Sequence, residues 1–410
     1  MGEPKLRFKA DDGSDFPKWE EKMFWDVFAN LTNNTLSREC LNAESGQARN
    51  IHYGDVLVKY GAVVDVQRDG APFVNPDVEC KRWDCLKDGD VVIADTAEDE
   101  TVGKAVEISN AGSDIVYSGL HTIACRPKEE FAPGYLGNYI NSMSYHDQLR
   151  PYMQGIKVTS VSKTNIGLTH LLVPALPEQR KIADCLSAVD AVIAAQQAEV
   201  DAWEKRKKGV MQKLFSQEVR FKADDGSEFP DWEEKTLGEV FTEIKEKNRS
   251  ELPVLSVQQG AGTVLRDSSE RRIAYNKNSL NNYKAMRQGE IIIHLRSFEG
   301  GLECSNHDGI SSPAYHILRS NMILSDAFKD YFRSYAFIKG KLSDAVVGIR
   351  DGKNIDMPTF WEIQMSIPSL PEQRKIADCL ASMDEVIQKS KGELAKWQEL
   401  KKGLLQQMFV

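Results

Sequence analysis

In two long stretches of the chain, seam residues advance by four and three positions in alternation. The first runs through Ile182, Leu186, Val189, Ile193, Val200, Trp203, Val210 and Leu214, with the polar residues Gln196 and Lys207 completing the series. The second runs through Ile376, Leu380, Met383, Ile387, Leu394, Trp397, Leu404 and Met408, completed by Ser390 and Lys401. A 3.5-residue period held over about five heptads predicts a helix that pairs through one stripe, a coiled coil. At 1.5 Å per residue each helix is a rod of roughly 57 Å. Pro177 and Pro371 sit where the helices begin, with Glu178 and Glu372 behind them. Proline suits the first helical position, and an acid suits the positive end of the helix dipole. The polar seam residues fall at matching places in the two stretches, as interruptions that fix register do.

The two stretches are copies. Leu176-Pro177-Glu178-Gln179-Arg180-Lys181-Ile182-Ala183-Asp184-Cys185-Leu186 recurs letter for letter as Leu370 to Leu380, and Trp203, Lys207 and Phe215 recur as Trp397, Lys401 and Phe409. A second block, Arg7-Phe8-Lys9-Ala10-Asp11-Asp12-Gly13-Ser14, recurs as Arg220 to Ser227, and Trp19-Glu20-Glu21-Lys22 as Trp232 to Lys235. Repeats this far apart mark a duplicated domain rather than a solenoid. The order is linker, variable domain, helix, twice over: linker 1–19, domain 20–173, helix 174–215, linker 216–232, domain 233–367, helix 368–410. With pseudo-twofold symmetry the helices pair antiparallel, and the sequence reads as circular, opened at one of two equivalent linkers.

Within the variable domains, short apolar runs sit between Gly, Asn and Asp turns. Val56-Leu57-Val58, Asp90 to Ala94 and His121 to Ala124 read as strands in the first, Glu290 to Leu295 and Tyr315 to Leu318 in the second. Helical runs follow near Gly134–Asn141 and Ser325–Phe337. The expected fold class is mixed α/β (α+β), two domains joined by two long antiparallel helices. Gly89-Asp90 lines up with Gly289-Glu290, and Gly155-Ile156-Lys157 with Gly348-Ile349-Arg350, so a common framework carries different decoration.

At 410 residues, more than one core is expected. No apolar run approaches the roughly 20 residues that span a bilayer, and Met1 to Lys9 is too charged for a secretory signal. Seven cysteines without tight pairing fit a reducing compartment, so a cytoplasmic protein is expected. The net charge of −9 argues against a non-specific coat for nucleic acid, but local basic surfaces remain possible.

Catalytic signatures are absent. No GxxxxGK[ST] loop and no GxGxxG after a strand occurs. Asp356-Met357-Pro358-Thr359-Phe360 resembles an amino-methylase loop only in part, lacking the first of two prolines. Cys40, Cys80, Cys85 and Cys125 lack metal-ligand spacing. Cationic and polar clusters are the candidates for phosphate positioning and base reading. In the first domain these are Arg49, His52 and Tyr53, together with Lys157, Thr159, Ser160 and Lys163; in the second, Arg271, Arg272, Arg296, Arg350 and Lys353.

Two variable domains alternating with two long helices, each opened by Leu-Pro-Glu-Gln-Arg-Lys-Ile, resemble the specificity subunits of type I restriction-modification systems. The runs Leu36-Ser37-Arg38, Asn50 to Asp55 and Gly89 to Ala94 resemble that family's target recognition domains. The resemblance implies that each domain reads one half of a split, asymmetric site in double-stranded DNA, with the helices as a ruler between them. It implies a non-catalytic chain with no cofactor or metal of its own. Two adenine-N6 methyltransferase subunits would dock on the helices, with Arg180, Lys181, Trp203, Arg374, Lys375 and Trp397 as candidate contacts. S-adenosylmethionine would sit on those partners, and ATP and Mg on two restriction/translocase subunits. The rival reading is a scaffold joining two protein partners without touching DNA.

Overall fold

Each variable domain is closed by its own first and last strands. Glu20–Met23 pairs antiparallel with His170–Val173, Glu20 opposite Val173. Glu233–Thr236 pairs in the same way with Gln364–Ile367, Glu233 opposite Ile367. The computed structural model describes residues 4–80, 82–155, 158–266, 277–293, 301–348 and 354–409. It divides into two units, residues 1–197 with 392–410, and residues 198–391.

In the first unit a five-stranded sheet runs in the order Phe28–Leu31, Thr122–Pro127, Val91–Ala94, Ala105–Ser109, Val63–Asp65. All neighbours are antiparallel except the last pair. Val91–Ala94 is buried throughout because both faces of the sheet are covered. Alternation divides its side chains: Val91 and Ile93 join a core with Phe24, Tyr135, Tyr139, Ile182, Leu186 and Phe409, whereas Val92 and Ala94 pack with Val56, Val64 and Ile108. The second core supports a four-stranded sheet in the order Val116–Ser118, Arg49–Ile51, Phe73–Val74, Leu41–Asn42.

The second unit repeats this plan with Thr242–Ile244, His316–Arg319, Ile291–Ile293 and Leu302–Cys304. Ile291 and Ile293 face a core containing Phe328, Phe332, Phe360, Ile376 and Leu380, while Ile292 faces Leu255, Met286 and Ile317. The expected correspondence of Gly89-Asp90 with Gly289-Glu290 is physical. Both glycines turn the chain at φ near +85°. Both acids are buried and receive an arginine from the neighbouring strand: Asp90 from Arg126 (Nε–Oδ1 2.8 Å, Nη2–Oδ2 2.7 Å), Glu290 from Arg319.

The two long helices span Leu176–Phe215 and Leu370–Met408. In the first unit Lys401 Nζ lies 2.6 Å from Asp190 Oδ1. In the second, Lys207 pairs with Asp384 and Lys391 with Glu204, each at 2.6 Å. In the second unit rising numbers on one helix meet falling numbers on the other, so there the paired segments are antiparallel.

The repeated blocks interlock. Glu178, fully buried, accepts from Arg7 Nε (3.0 Å), Arg7 Nη2 (2.8 Å) and Trp19 Nε1 (3.1 Å). Glu372 accepts from Arg220 Nε (3.1 Å), Arg220 Nη2 (2.8 Å) and Trp232 Nε1 (3.1 Å). Gln179 receives the Ala132 N–H and donates to the Pro174 carbonyl; Gln373 does the same with Leu324 and Pro368. Pro-Glu-Gln is thus a root that fastens the helix to its linker and its domain.

Two local expectations change. Val56-Leu57-Val58 lies in a helix, Tyr53–Val58, not a strand. His52 caps its start, Nδ1 accepting from Gly54 N at 3.1 Å, and this turn turns Val56 inward while Val58 stays exposed. The helical run Ser325–Phe337 is two helices, Ser325–Phe332 and Tyr335–Gly340, because Ser334 caps the second.

Candidate nucleic-acid interface

The strands of the first unit's central sheet end together, and polar side chains collect at that end. After Ala94 the chain passes Asp95 into Thr96–Ala97, which pairs with Thr159–Ser160. His121 precedes Thr122, the residue opposite Ala94. Backbone bonds tie these segments: Asp95 N–H donates to His121 O (3.1 Å), and Val161 N–H to Asp95 O (2.9 Å). The capped start of the Tyr53–Val58 helix completes the group.

The His121 imidazole is exposed and its backbone is left-handed, φ 53°. Its Nδ1 lies 3.4 Å from both Thr96 Oγ1 and Asp95 Oδ1. The Tyr53 ring meets it edge-on at 5.3 Å and contacts His52 at 4.7 Å. Behind them Asp55 is buried and holds Arg38 at 2.5 Å, the Arg38 side chain remaining largely exposed. Burial holds the His52 imidazole below its ordinary value of 6.5, consistent with its neutral, accepting role as a cap. Hydroxyls, an imidazole and an aromatic edge on a rigid sheet end are groups that can match base edges by hydrogen bonding and contact.

The described first-domain candidates separate. His52, Tyr53, Thr159 and Ser160 belong to the two segments that meet here. Lys163 opens the short helix Lys163–Ile166 beyond them. Arg49 is engaged inside the domain: Nε donates to Asp114 (2.6 Å), Nη1 to Ala71 O (2.8 Å), and the guanidinium lies 4.1 Å over Phe73. Lys157, Arg271, Arg272, Arg296, Arg350 and Lys353 lie outside the described residues. Sequence reasoning passed over His121 and Thr96 as contributors to this end; their signal was position, immediately flanking two adjacent strands.

At the corresponding end of the second unit, His316 Nδ1 lies 2.8 Å from Glu243 Oε1, and Lys284 Nζ donates to Tyr315 O at 2.7 Å. Asp356, from the partial methylase-like run, caps the helix Met357–Trp361, accepting from Thr359 N (3.0 Å) and Oγ1 (2.6 Å). Among the described residues no group of three His, Cys, Asp or Glu side chains is placed to hold a metal ion, and no helix is long and apolar enough to cross a membrane.

On the helices, Arg180 and Arg374 are exposed. Lys181 and Lys375 each reach a linker acid at 2.5 Å, Asp11 and Asp224. Trp203 and Trp397 are half-buried, and Arg206 lies 5.3 Å from the Trp203 ring.

No protein-family profile matches the chain. It is 25% identical over 337 residues to a protein named as the type I restriction enzyme MjaX specificity subunit of Methanocaldococcus jannaschii, a match spanning 77% of this chain and 76% of that one. It is 27% identical over 283 residues to the type I restriction enzyme MjaVIII specificity subunit of the same organism, across 63% of this chain and 65% of that one. Both relatives bear the name of a type I restriction enzyme specificity subunit.

The fold agrees with specificity subunits of known structure. The S subunit of a type I restriction-modification system from M. genitalium superposes with a TM-score of 0.53 at 15% identity, over 100% of this chain and 99% of that one. A chain from a structure of type I restriction-modification complex assembly and conformational transition gives 0.56 at 17%, over 96% and 98%. These likenesses establish the shared two-domain fold.

Proposed function

We propose that this chain is the DNA-reading, non-catalytic subunit of a type I restriction-modification system in the cytoplasm. Each variable domain, 20–173 and 233–367, reads one half of a bipartite asymmetric site through the open end of its central sheet. The helices set the number of unread base pairs between the halves. They also carry two adenine-N6 methyltransferase subunits, which bind S-adenosylmethionine. Two ATP- and Mg-dependent restriction subunits complete the enzyme.

The observation that carries this reading is the duplicated plan, two differently decorated sheet ends on one repeated root and helix, in a chain homologous to named specificity subunits. A helix of 40 residues is about 60 Å long, enough to hold two readers about one turn of B-DNA apart, 34–36 Å. The methylatable site follows from this: one heptad added to both helices lengthens the spacer and leaves the half-sites unchanged.

The deciding experiment is duplex binding by the chain co-purified with its methyltransferase. DNA reading requires sequence-selective binding that weakens steeply with salt. A scaffold that joins protein partners would bind no duplex at any salt concentration, and that result would remove the proposal.

A further inference from the structure

The second unit differs from the first at one equivalent stretch of backbone. In the first unit Leu31 pairs with Ala124, two residues before Arg126, the partner of buried Asp90. In the second, Ile244 pairs with Ile317, two residues before Arg319, the partner of buried Glu290. Leu31 and Ile244 are therefore equivalent. The chain continues as Thr32-Asn33-Asn34 in one unit and as Lys245-Glu246-Lys247 in the other.

The neutral triplet is turned inward in part: Thr32 is bound to Asp84 and Asn34 is buried against Asn50. The charged triplet alternates, Lys245 exposed, Glu246 half-buried, Lys247 exposed. Backbone bonds fasten this stretch to its neighbour, Ala285 N–H to Glu246 O (2.8 Å) and Asn248 N–H to Asn281 O (3.1 Å). Residues two apart in the chain have Cα atoms at most about 7 Å apart, comparable to successive phosphates on one DNA strand.

The nearby acids are each shared among cations or held by one of their own, and Lys245 is among the partners of Glu243. Glu243 is divided between His316 (2.8 Å), Lys245 (3.1 Å) and Lys284 (3.9 Å). Glu246 is held by Arg249 at 2.7 Å. Lys247 makes no ion pair among the described residues. Lys284, nearly buried, shares Glu243 with Lys245, and its ammonium is held below its ordinary range first by burial and also by Lys245 and Lys247.

We propose that Lys245 and Lys247 form a phosphate clamp that seats the second domain on the DNA backbone, a contact the first domain does not make at its equivalent stretch. This rests on the DNA-reading function proposed above. Such a contact fixes position and carries no sequence information.

The test replaces both lysines by the first unit's residues, Lys245→Thr with Lys247→Asn, which that same framework already accommodates. The probe is a random-sequence 30-base-pair duplex, titrated across salt concentrations with the chain bound to its methyltransferase. Each lost phosphate contact lowers the slope of log affinity against log salt by about 0.9. The double variant should therefore lose about 1.8 of slope, whereas Lys389→Gln on the exposed face of the second long helix should lose none. An unchanged slope in the double variant, or an equal loss in Lys389→Gln, overturns the clamp and leaves DNA reading intact. If the unaltered complex binds no duplex, the DNA-reading function itself falls.

Discussion

Arg7 and Glu178, far apart in sequence, form a two-point ion pair with oxygens and nitrogens at 2.8 and 3.0 Å, and the carboxylate is fully buried. The pair fastens the opening linker to the first turn of the first long helix. Removing the arginine strands a buried charge, for which Trp19 Nε1 is the remaining donor described. Arg7→Ala should therefore destabilise the chain by about 3 kcal/mol, read as a lower urea midpoint. Arg220→Ala should have a similar cost, because Glu372 is held identically. A change under about 0.5 kcal/mol, the range of ordinary surface substitutions, would show that the root does not depend on the pair.

The seam lysines are copies with unequal surroundings. Lys401 faces Asp190, whereas Lys207 bridges Asp384 and Asp330, both at 2.6 Å. Lys207→Met leaves two carboxylates facing one another, so it should cost about 1–2 kcal/mol more than Lys401→Met. Adding Asp330→Asn to Lys207→Met should recover part of that difference. Equal urea midpoints for the two single variants would rule out a bridging role.

His52 gives a pH dependence with a definite sign. Its folded pKa is depressed below the ordinary 6.5 by burial, so the unfolded chain binds more protons near that pH. Stability contributed by the neutral ring is then complete above about 6.5 and lost as pH falls below it. The loss has a structural counterpart, since a protonated Nδ1 cannot accept the Gly54 N–H. His52→Asn keeps a capping acceptor without the titration. Urea midpoints between pH 7.5 and 5 should fall more steeply for the unaltered chain than for His52→Asn; parallel curves would contradict the assignment.

The helices were legible because a four-three spacing of apolar residues admits little else, and their observed spans follow it. The roots were half legible. Glu178 reads from sequence as an acid at a helix start, and its burial under Arg7 depends on a long-range approach. The available signal was that Arg7 and Trp19 recur as Arg220 and Trp232 alongside Glu372. Val56-Leu57-Val58 misled because two β-branched residues favour a strand, and the His52 cap prevailed. The sheet-end group was legible only in pieces, since Tyr53, Thr96, His121 and Ser160 come from four separate segments brought together by strand pairing and ring contact.

If each domain reads its own half of one DNA site, the two halves can be changed separately. The direct measurement is sequencing of methylated adenines in cells expressing the methyltransferase with either the unaltered chain or a chimera. In the chimera, residues 20–173 are replaced by the corresponding domain of another specificity subunit. One half-site should change while the other half-site and the spacer stay as they were. A chimera that folds and methylates with both half-sites altered, or with neither altered, would contradict that expectation.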